Sequence, residues 1–318
     1  MSTLERPGVP AAALNELARR LDETRVYPDE PLAIHTTYRI GGPADLLYVA
    51  TTAQELQDAA MSARELGVPC FVLGMGANIL VGDRGIRGLV IKNRGQAVQF
   101  LGENRVRADS GVVVRDLLEE TVARGLSGLE HFAGIPSTVG GALWQNLHFL
   151  APDRKSTLFL GDRVEEARIL DEQGMVCTVH RDYFRFGYDD SILHHRQDLV
   201  LDVTLRLEPA SAQTIEQVIQ SNLHWRWQKH PDLVAFPSAG SVFRKAEGYG
   251  AGRLIDQCGL KGRVIGRAQV SPKHANFIVN LGGARASDVL SLVDLCQREV
   301  RTRFGIELEL EIMRVGEF

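Results

Sequence analysis

The chain has 318 residues, of which 44% are hydrophobic and 24% charged, and a net charge of −4, as in a globular protein of two or three domains. These values exclude the basic footprint of a nucleic-acid-binding protein, and no apolar run reaches the length of a bilayer span, so we expect neither as a partner. Four scattered cysteines and an N-terminus, MSTLERPGVPAAALNEL, without a signal-peptide pattern indicate a cytoplasmic protein.

The first predicted unit is a strand–helix–strand arrangement. Thr52 and Glu55 have the spacing of a capping box, which predicts the start of a helix that ends at Gly67. The predicted elements are a helix at 11–21, a turn at 41–43, a strand at 46–49, the capped helix and a strand at 70–73. This order is that of one βαβ unit.

The glycine turn Gly74-Met75-Gly76-Ala77-Asn78 follows directly. Its glycines allow positive φ, and successive backbone amides in such a turn can bind a diphosphate. A dinucleotide-binding Rossmann turn would need a glycine at Ile79 and a helix after it, whereas this chain returns to strand. The pattern therefore fits a phosphate-binding turn or a plain hairpin equally well.

A second unit of the same kind is predicted next. Its elements are a strand at 106–108, a turn at Ser110-Gly111, a helix at 114–124 and strands at 168–170 and 199–207. Five glycines between Gly125 and Gly141 predict a backbone packed closely against a flat surface.

The remainder predicts a third region after a linker at 209–212. We expect a helix at 214–227, strands at 241–244, 266–270 and 277–281, a helix from Ser287 to Gly305 and a last strand at 306–315. In that strand Glu307, Glu309 and Glu311 share one face, which normally means a solvated edge.

Chemistry-bearing side chains taken singly leave their functions open. The pair His194-His195 belongs to no metal motif and is expected at the surface. No nucleophile elbow occurs, so Ser241 reads as a strand-opening serine more readily than as a catalytic one. Lys229 either neutralises an anion or complements a helix dipole.

Seven motifs in order resemble one family, the UDP-N-acetylenolpyruvoylglucosamine reductases (MurB). The resemblance extends over residues 34–316 and rests on TTYRIGGPAD, LGMGANILVGDRGIRGLVI, AGIPSTVGGALWQN, FRFGYDDS, KHPDLVAFPSAGSVFRK, LIDQCGLKGRVIGRAQVSPKHANFIVN and FGIELELEIMRVG.

The resemblance implies an α+β chain: a two-lobed FAD-binding fold of the vanillyl-alcohol oxidase (PCMH) type, followed by an αβ substrate-binding domain. Lobe 1 with the N-terminal helix would span residues 1–94, lobe 2 residues 95–208 and the C-terminal domain residues 209–318. The implied cofactors are FAD and NADPH. NADPH and UDP-N-acetylglucosamine enolpyruvate would use one pocket in turn, and the protein would be a monomer.

The resemblance also implies the site residues. Ser241 would be the catalytic acid and Glu311 the catalytic glutamate. The implied FAD-binding residues are Tyr38, Gly74, Met75, Gly76, Ala77, Asn78, Ile79, Leu80, Ser110, Gly111, Gly134, Ile135, Pro136, Thr138, Gly140 and Gly141. The implied substrate-binding residues are Tyr188, Lys229, Lys245, His274 and Asn276, with no metal.

Asp189 departs from the family pattern, which has an arginine here to hold the substrate carboxylate. A carboxylate at about 4 Å from the substrate's own would cost roughly 4 kcal/mol at an effective dielectric of 20. Either Asp189 points away and another cation substitutes, with Arg163, Arg185 and Arg196 as candidates, or the enzyme is impaired.

Two other positions depart from the pattern, and two other functions stay open. Residues 146–150 replace a glycine-containing family segment, and Lys245 stands where some members have an amide. The alternatives are another FAD-dependent oxidase or dehydrogenase of this fold, and a catalytically impaired protein that binds the UDP-sugar.

Overall fold

The computed structural model describes residues 9–246 and 248–318. Residues 1–8 lie outside the described residues. They belong to the N-terminal stretch for which the sequence predicts no signal peptide. Among the helices that are described, none has the length and apolar character needed to cross a membrane.

The first part of the chain builds a mixed sheet. Its elements are α1 (Ala11–Arg20), β1 (Val26–Pro31), β2 (Pro43–Ala50), α2 (Ala53–Glu65), β3 (Cys70–Leu73), β4 (Ile79–Val81) and β5 (Ile86–Asn93). The sheet order is β1-β2-β5-β3, and both β2 and β3 run parallel to β5. The predicted βαβ unit is therefore confirmed, with β5 inserted between its two strands.

Helix α2 starts where the sequence predicts, but with half of the predicted capping box. The Thr52 hydroxyl accepts the Glu55 backbone N–H at 3.1 Å. The Glu55 carboxylate accepts the Thr51 backbone N–H at 2.7 Å and pairs with Arg25 at 2.7 Å. Arg25 lies directly before β1. Its ion pair with Glu55 holds the Glu55 carboxylate away from the Thr52 backbone N–H, which a full capping box would use.

The second part of the chain builds an antiparallel sheet. Its elements are β6 (Val98–Gly102), β7 (Arg105–Asp109), α3 (Val114–Val122), β8 (Leu126–Ser127), α4 (Val139–Gln145), β9 (His148–Leu150), β10 (Thr157–Phe159), β11 (Val164–Leu170), β12 (Val176–His180), β13 (Leu199–Arg206) and β14 (Glu208–Pro209). The order β12-β11-β13-β7-β6 has only antiparallel neighbours. The prediction of a second βαβ unit was therefore wrong, although helix α3 and strands β7, β11 and β13 were anticipated.

Helix α4 starts at the end of the glycine-rich stretch. The Thr138 hydroxyl caps it by accepting the Gly141 N–H at 3.3 Å. The Gly140 N–H donates to the Ser110 carbonyl at 2.8 Å, and a Cβ on Gly140 would lie 3.0 Å from that of Ser110. Glycine here permits the helix to approach the turn at Ser110.

The last part of the chain packs short strands against two helices. Its elements are α5 (Ala212–Lys229), α6 (Ala251–Gln257), β15 (Val264–Ile265), β16 (Ala268–Val270), β17 (Ile278–Asn280), α7 (Ala286–Phe304) and β18 (Met313–Val315). The strand predicted at 241–244 was wrong, because this segment forms only an isolated bridge from Phe243 to Leu310. The long strand predicted at 306–315 is confined to β18, so the three glutamates do not share a strand face.

The final strand returns to the first part of the chain. β18 pairs in parallel with β4, which begins directly after the glycine turn. The Gly82 N–H donates to the Val315 carbonyl at 2.9 Å, and the Glu317 N–H to the Gly85 carbonyl at 2.9 Å. This pairing brings Glu311, two residues before β18, to the glycine turn.

Candidate active site

One cavity of about 540 Å³ brings together most of the residues that the sequence indicated. Its volume is in the range of small-molecule and cofactor sites. The indicated residues in its lining are Gly74, Met75, Gly76, Ala77, Asn78, Ile79, Ser110, Ile135, Pro136, Thr138, Gly140, Gly141, Tyr188, Ser241, Lys245 and Glu311. The structure places these residues in one cavity, and the role of each residue stays a prediction.

Four residues indicated for the cofactor lie behind the lining. Tyr38 and Leu80 are fully buried in the core of the last part of the chain, where burial raises the pKa of the Tyr38 hydroxyl. Gly111 packs against Gly95, whose backbone N would lie 2.3 Å from an added Cβ. Gly134 lies against Leu223, whose Cδ2 would lie 2.8 Å from a Cβ added to Gly134. The structure gives these four a packing role.

Three residues indicated for the substrate also lie outside the lining. Lys229 is exposed at the end of α5. His274 packs edge-on against Phe277, with ring centroids 5.1 Å apart. The Asn276 side chain accepts the Phe243 N–H at 3.0 Å and donates to the Phe243 carbonyl at 2.8 Å. Asn276 therefore fixes the segment that contains Ser241.

Residues 74–78 form one side of the cavity, which we call the turn wall. Within the described residues, the backbone N–H groups of Met75, Gly76 and Ala77 donate to no protein acceptor. Gly76 has a φ of 63°, which favours glycine. Unpaired amides of consecutive residues in a cavity wall are suited to an anion such as a diphosphate.

Lys92 supports the turn wall from behind. Its Nζ donates to the Gly74 carbonyl at 2.6 Å and to the His35 carbonyl at 3.3 Å. Burial, and to a smaller extent the charge of Arg94, lowers the pKa of Lys92 to about 8. At neutral pH this side chain places a positive charge beneath the turn.

Asp189, Ser241 and Glu311 also line the cavity, and we call this set the carboxyl wall. The Glu311 N–H donates to the Val242 carbonyl at 2.8 Å, which ties Glu311 to the segment of Ser241. The Asn78 side-chain amide donates to the Glu311 carbonyl at 3.2 Å and joins the two walls. Distant parts of the chain thus meet through short backbone contacts.

Glu311 is the acid most strongly perturbed in the cavity. Burial, followed by the nearby charge of Asp189, raises the pKa of its carboxyl to about 8, against the opposing charges of Arg244 and Lys245. A carboxyl with this pKa is largely protonated at neutral pH and can donate a hydrogen bond.

Asp189 lines the cavity, contrary to the alternative in which its side chain points away. It is 1% exposed, and its Oδ1 accepts the Gln145 side-chain N–H at 3.0 Å. The three arginines suggested as substitutes lie elsewhere: Arg163 pairs with Glu208 at 2.6 Å, Arg196 with Asp198 at 2.7 Å, and Arg185 is exposed outside the lining.

Arg226 lines the cavity and was missed from the sequence. Burial lowers the pKa of its guanidinium to about 10, and this group lies 5.6 Å from the centroid of the Phe149 ring. No ion pair of Arg226 occurs among residues 9–246 and 248–318. The signal was available three residues before Lys229 on the same helix, between Trp225 and Trp227. A buried cation without a carboxylate partner is suited to an anionic ligand.

The adjacent histidines are not equally solvated. His195 is exposed, whereas the His194 ring stacks on Trp144 with centroids 3.5 Å apart, so the surface prediction was wrong for His194. Among the described residues, no group of three or more His, Cys, Asp or Glu side chains is arranged to hold a metal ion.

Two family models match the chain. Residues 44–180 match an FAD binding domain, and residues 231–315 match the C-terminal domain of UDP-N-acetylenolpyruvoylglucosamine reductase. Together with the solved structure described next, they confirm the predicted fold class, an α+β chain with an FAD-binding fold followed by an αβ C-terminal domain.

Similar proteins match over most of their length. The UDP-N-acetylenolpyruvoylglucosamine reductase of Moorella thermoacetica is 42% identical over 92% of this chain and 94% of its own. That of Alkaliphilus oremlandii is 38% identical over 96% and 98%. The crystal structure of the Thermus caldophilus reductase is 34% identical over 91% and 98%, with a TM-score of 0.74.

Proposed function

The chain belongs to the UDP-N-acetylenolpyruvoylglucosamine reductase family, and from that membership we propose how its cavity works. It is an FAD-dependent oxidoreductase that reduces the enolpyruvyl ether of UDP-N-acetylglucosamine to UDP-N-acetylmuramate. When bound, FAD would supply the hydride transfer from NADPH to the terminal vinyl carbon of the substrate. NADPH and the UDP-sugar occupy the pocket in turn.

The turn wall is where the diphosphate of FAD would bind. The unpaired N–H groups of Met75, Gly76 and Ala77 supply donors, and the ammonium of Lys92 supplies charge behind them. The residues present therefore fit the cofactor that the matched domain binds. Ser110 and residues 135–141 would line the rest of the cofactor site.

The carboxyl wall is where protons would be delivered. Hydride addition leaves negative charge on the neighbouring carbon and its carboxylate. The Ser241 hydroxyl would protonate that carbon and recover its proton from water. The neutral carboxyl of Glu311 would donate a hydrogen bond where the charge accumulates, which its pKa of about 8 supports.

Substrate binding would combine residues inside and beside the cavity. Tyr188 and Lys245 are in the lining, and the Lys245 ammonium lies 6.0 Å from the Tyr188 ring centroid. Arg226 adds a cation for a phosphate group. Roles for Lys229, His274 and Asn276 in binding rest on the family resemblance alone.

The cellular setting follows from the reaction. UDP-N-acetylmuramate formation is a step of peptidoglycan precursor synthesis, which serves cell wall biogenesis, cell shape and cell division. We place the protein in the cytoplasm as a monomer, and its four free cysteines accord with a reducing compartment. The domain boundaries at residues 94 and 208 belong to the same proposal.

The observation that most supports this function is that Ser241 and Glu311 line one cavity with the turn wall. The test uses purified flavin-loaded protein: NADPH should bleach the flavin absorbance, and the UDP-enolpyruvyl sugar should restore it under anaerobic conditions.

Two results would reject the reductase function. Turnover equal to that of a Ser241→Ala variant would indicate a UDP-sugar-binding protein with an impaired site. Rapid re-oxidation by O2, without response to the UDP-sugar, would instead indicate an oxidase of this fold.

A further inference from the structure

Asp189 presents an unsatisfied carboxylate oxygen at the carboxyl wall. Its Oδ1 accepts from Gln145 and lies 3.5 Å from His148 Nδ1, whereas its buried Oδ2 has no partner within the described residues. An unpaired buried carboxylate oxygen is costly, and such groups concentrate at functional sites.

The backbone around Asp189 is tied to the segment of Ser241 and Glu311. The Arg244 guanidinium donates to the Asp189 carbonyl at 3.3 Å, and the Arg244 N–H donates to the Glu309 carbonyl at 2.9 Å. Asn146 donates to the Gly187 carbonyl at 2.7 Å and holds the turn from the other side. These contacts therefore fix Asp189 beside the segment that contains Arg244, next to Ser241.

We propose that Asp189, which stands where the family has an arginine and lines the same cavity as Glu311, is a positioning residue. Its carboxyl and that of Glu311, which we call the carboxyl pair, together hold one proton at neutral pH. Two carboxyl groups that share a confined site do not both ionise readily. The proton comes from solvent and resides on Glu311. The inference that Glu311 uses this proton in catalysis rests on the proposed function. The presence of the proton on Glu311 does not depend on that function.

The charges around the pair do not remove this effect. Arg244 and Lys245 oppose it at Glu311, yet the pKa of Glu311 is still raised to about 8. His148 faces Asp189, but burial lowers the pKa of His148, which leaves it neutral at neutral pH. Burial, with the charges of Asp189 and Glu311, raises the pKa of the remaining neighbour, Tyr188, to about 12, so it stays uncharged.

Asp189→Asn is the informative substitution. Asparagine keeps an acceptor for Gln145, tolerates the φ of 51° at this position, and removes the charge by replacing one carboxylate oxygen with an amide NH2. The neighbouring Asp190→Asn is the matched control, because Asp190 is half exposed and outside the cavity lining.

The measurement is a carbon-13 titration of flavin-loaded protein with labelled glutamate carboxyls, in which Glu311 is assigned by the signal lost in Glu311→Gln. Asp189→Asn should lower the Glu311 midpoint by about one pH unit, and Asp190→Asn should leave it in place. A midpoint unchanged in Asp189→Asn would overturn the proposal. If that variant folds poorly, Asp189→Gly gives the same test at a positive φ.

Kinetics supply a second readout. The alkaline limb of re-oxidation by the UDP-enolpyruvyl sugar should move with the Glu311 midpoint, and an unmoved limb would also count against Asp189. Absence of turnover at every pH would reject the proposed reductase function, while the titration without substrate would still decide the carboxyl pair.

Discussion

The turn wall and the carboxyl wall enclose the same cavity but are built from different parts of the protein. The turn wall consists of consecutive residues, 74–78, and within the described residues the backbone N–H groups of Met75, Gly76 and Ala77 donate to no protein acceptor. The carboxyl wall consists of side chains from three distant positions, and its charge changes with pH. A backbone site is therefore sensitive to added atoms, and a side-chain site is sensitive to added or removed charge.

The largest expected effect comes from an added methyl group in the turn wall. In Gly76→Ala the new Cβ would lie 3.0 Å from both the His35 carbonyl oxygen and the Thr36 Cα, at a φ of 63°. Backbone strain and overpacking of this kind cost about 2–4 kcal/mol together. We expect FAD affinity to fall by about a hundredfold, as measured by flavin retention and by titration of the apoprotein.

Gly67→Ala is the control for that strain. Gly67 has a φ of 65° and no neighbour within 4 Å of an added Cβ, and it lies at the end of α2. Equal flavin loss in the two variants would mean that general destabilisation, and not the turn wall, controls cofactor binding.

A smaller effect distinguishes the two cations of α5. Arg226→Gln should weaken UDP binding about tenfold or more, because a charge-assisted hydrogen bond contributes about 1.5–3 kcal/mol. Lys229→Gln should weaken it less, since Lys229 is exposed outside the cavity lining. Calorimetry with UDP on flavin-loaded protein makes the comparison. A larger loss in Lys229→Gln would restore the role that the family resemblance gives to Lys229.

Stability gives a further comparison, which isolates the carboxyl wall. The pKa of Glu311 is raised from 4.5 to about 8, so the folded protein binds a proton that the unfolded chain releases. The free energy of unfolding should therefore fall as pH rises between these values, and Glu311→Gln should remove that part of the fall. Denaturant unfolding of both proteins across this range measures the difference. Parallel curves would contradict a protonated Glu311.

The two walls also differ in how far the sequence predicted them. The glycine spacing at 74–76 left a phosphate-type turn and a plain hairpin equally open without any knowledge of the fold, because backbone freedom is a local property. Ser241 and Glu311 were identified only through the family resemblance. Their meeting depends on Asn276 and on the β18–β4 pairing, which no local pattern contains.

The prediction errors have physical causes of the same kind. The hairpin of β6 and β7 was not predicted from the sequence. Its turn has Glu103 and Asn104 at φ of 50° and 60°, and its glycine, Gly102, comes before these two residues. The strand predicted at 306–315 had suitable alternation, but most of it found no partner strand. Arg226 was overlooked because burial of a helical arginine depends on what packs over it.

The pairing of β18 with β4 has a consequence for biosynthesis. A ribosome that has reached α7 has already translated the glycine turn but has not yet translated Glu311 or β18. The parallel partner of β4 is therefore added beside the turn only after translation has passed Val315. For the same reason, a protease cut between residues 305 and 310 would separate Glu311, the proposed hydrogen-bond donor, from the part of the chain that contains the turn wall, while leaving most of both family domains intact.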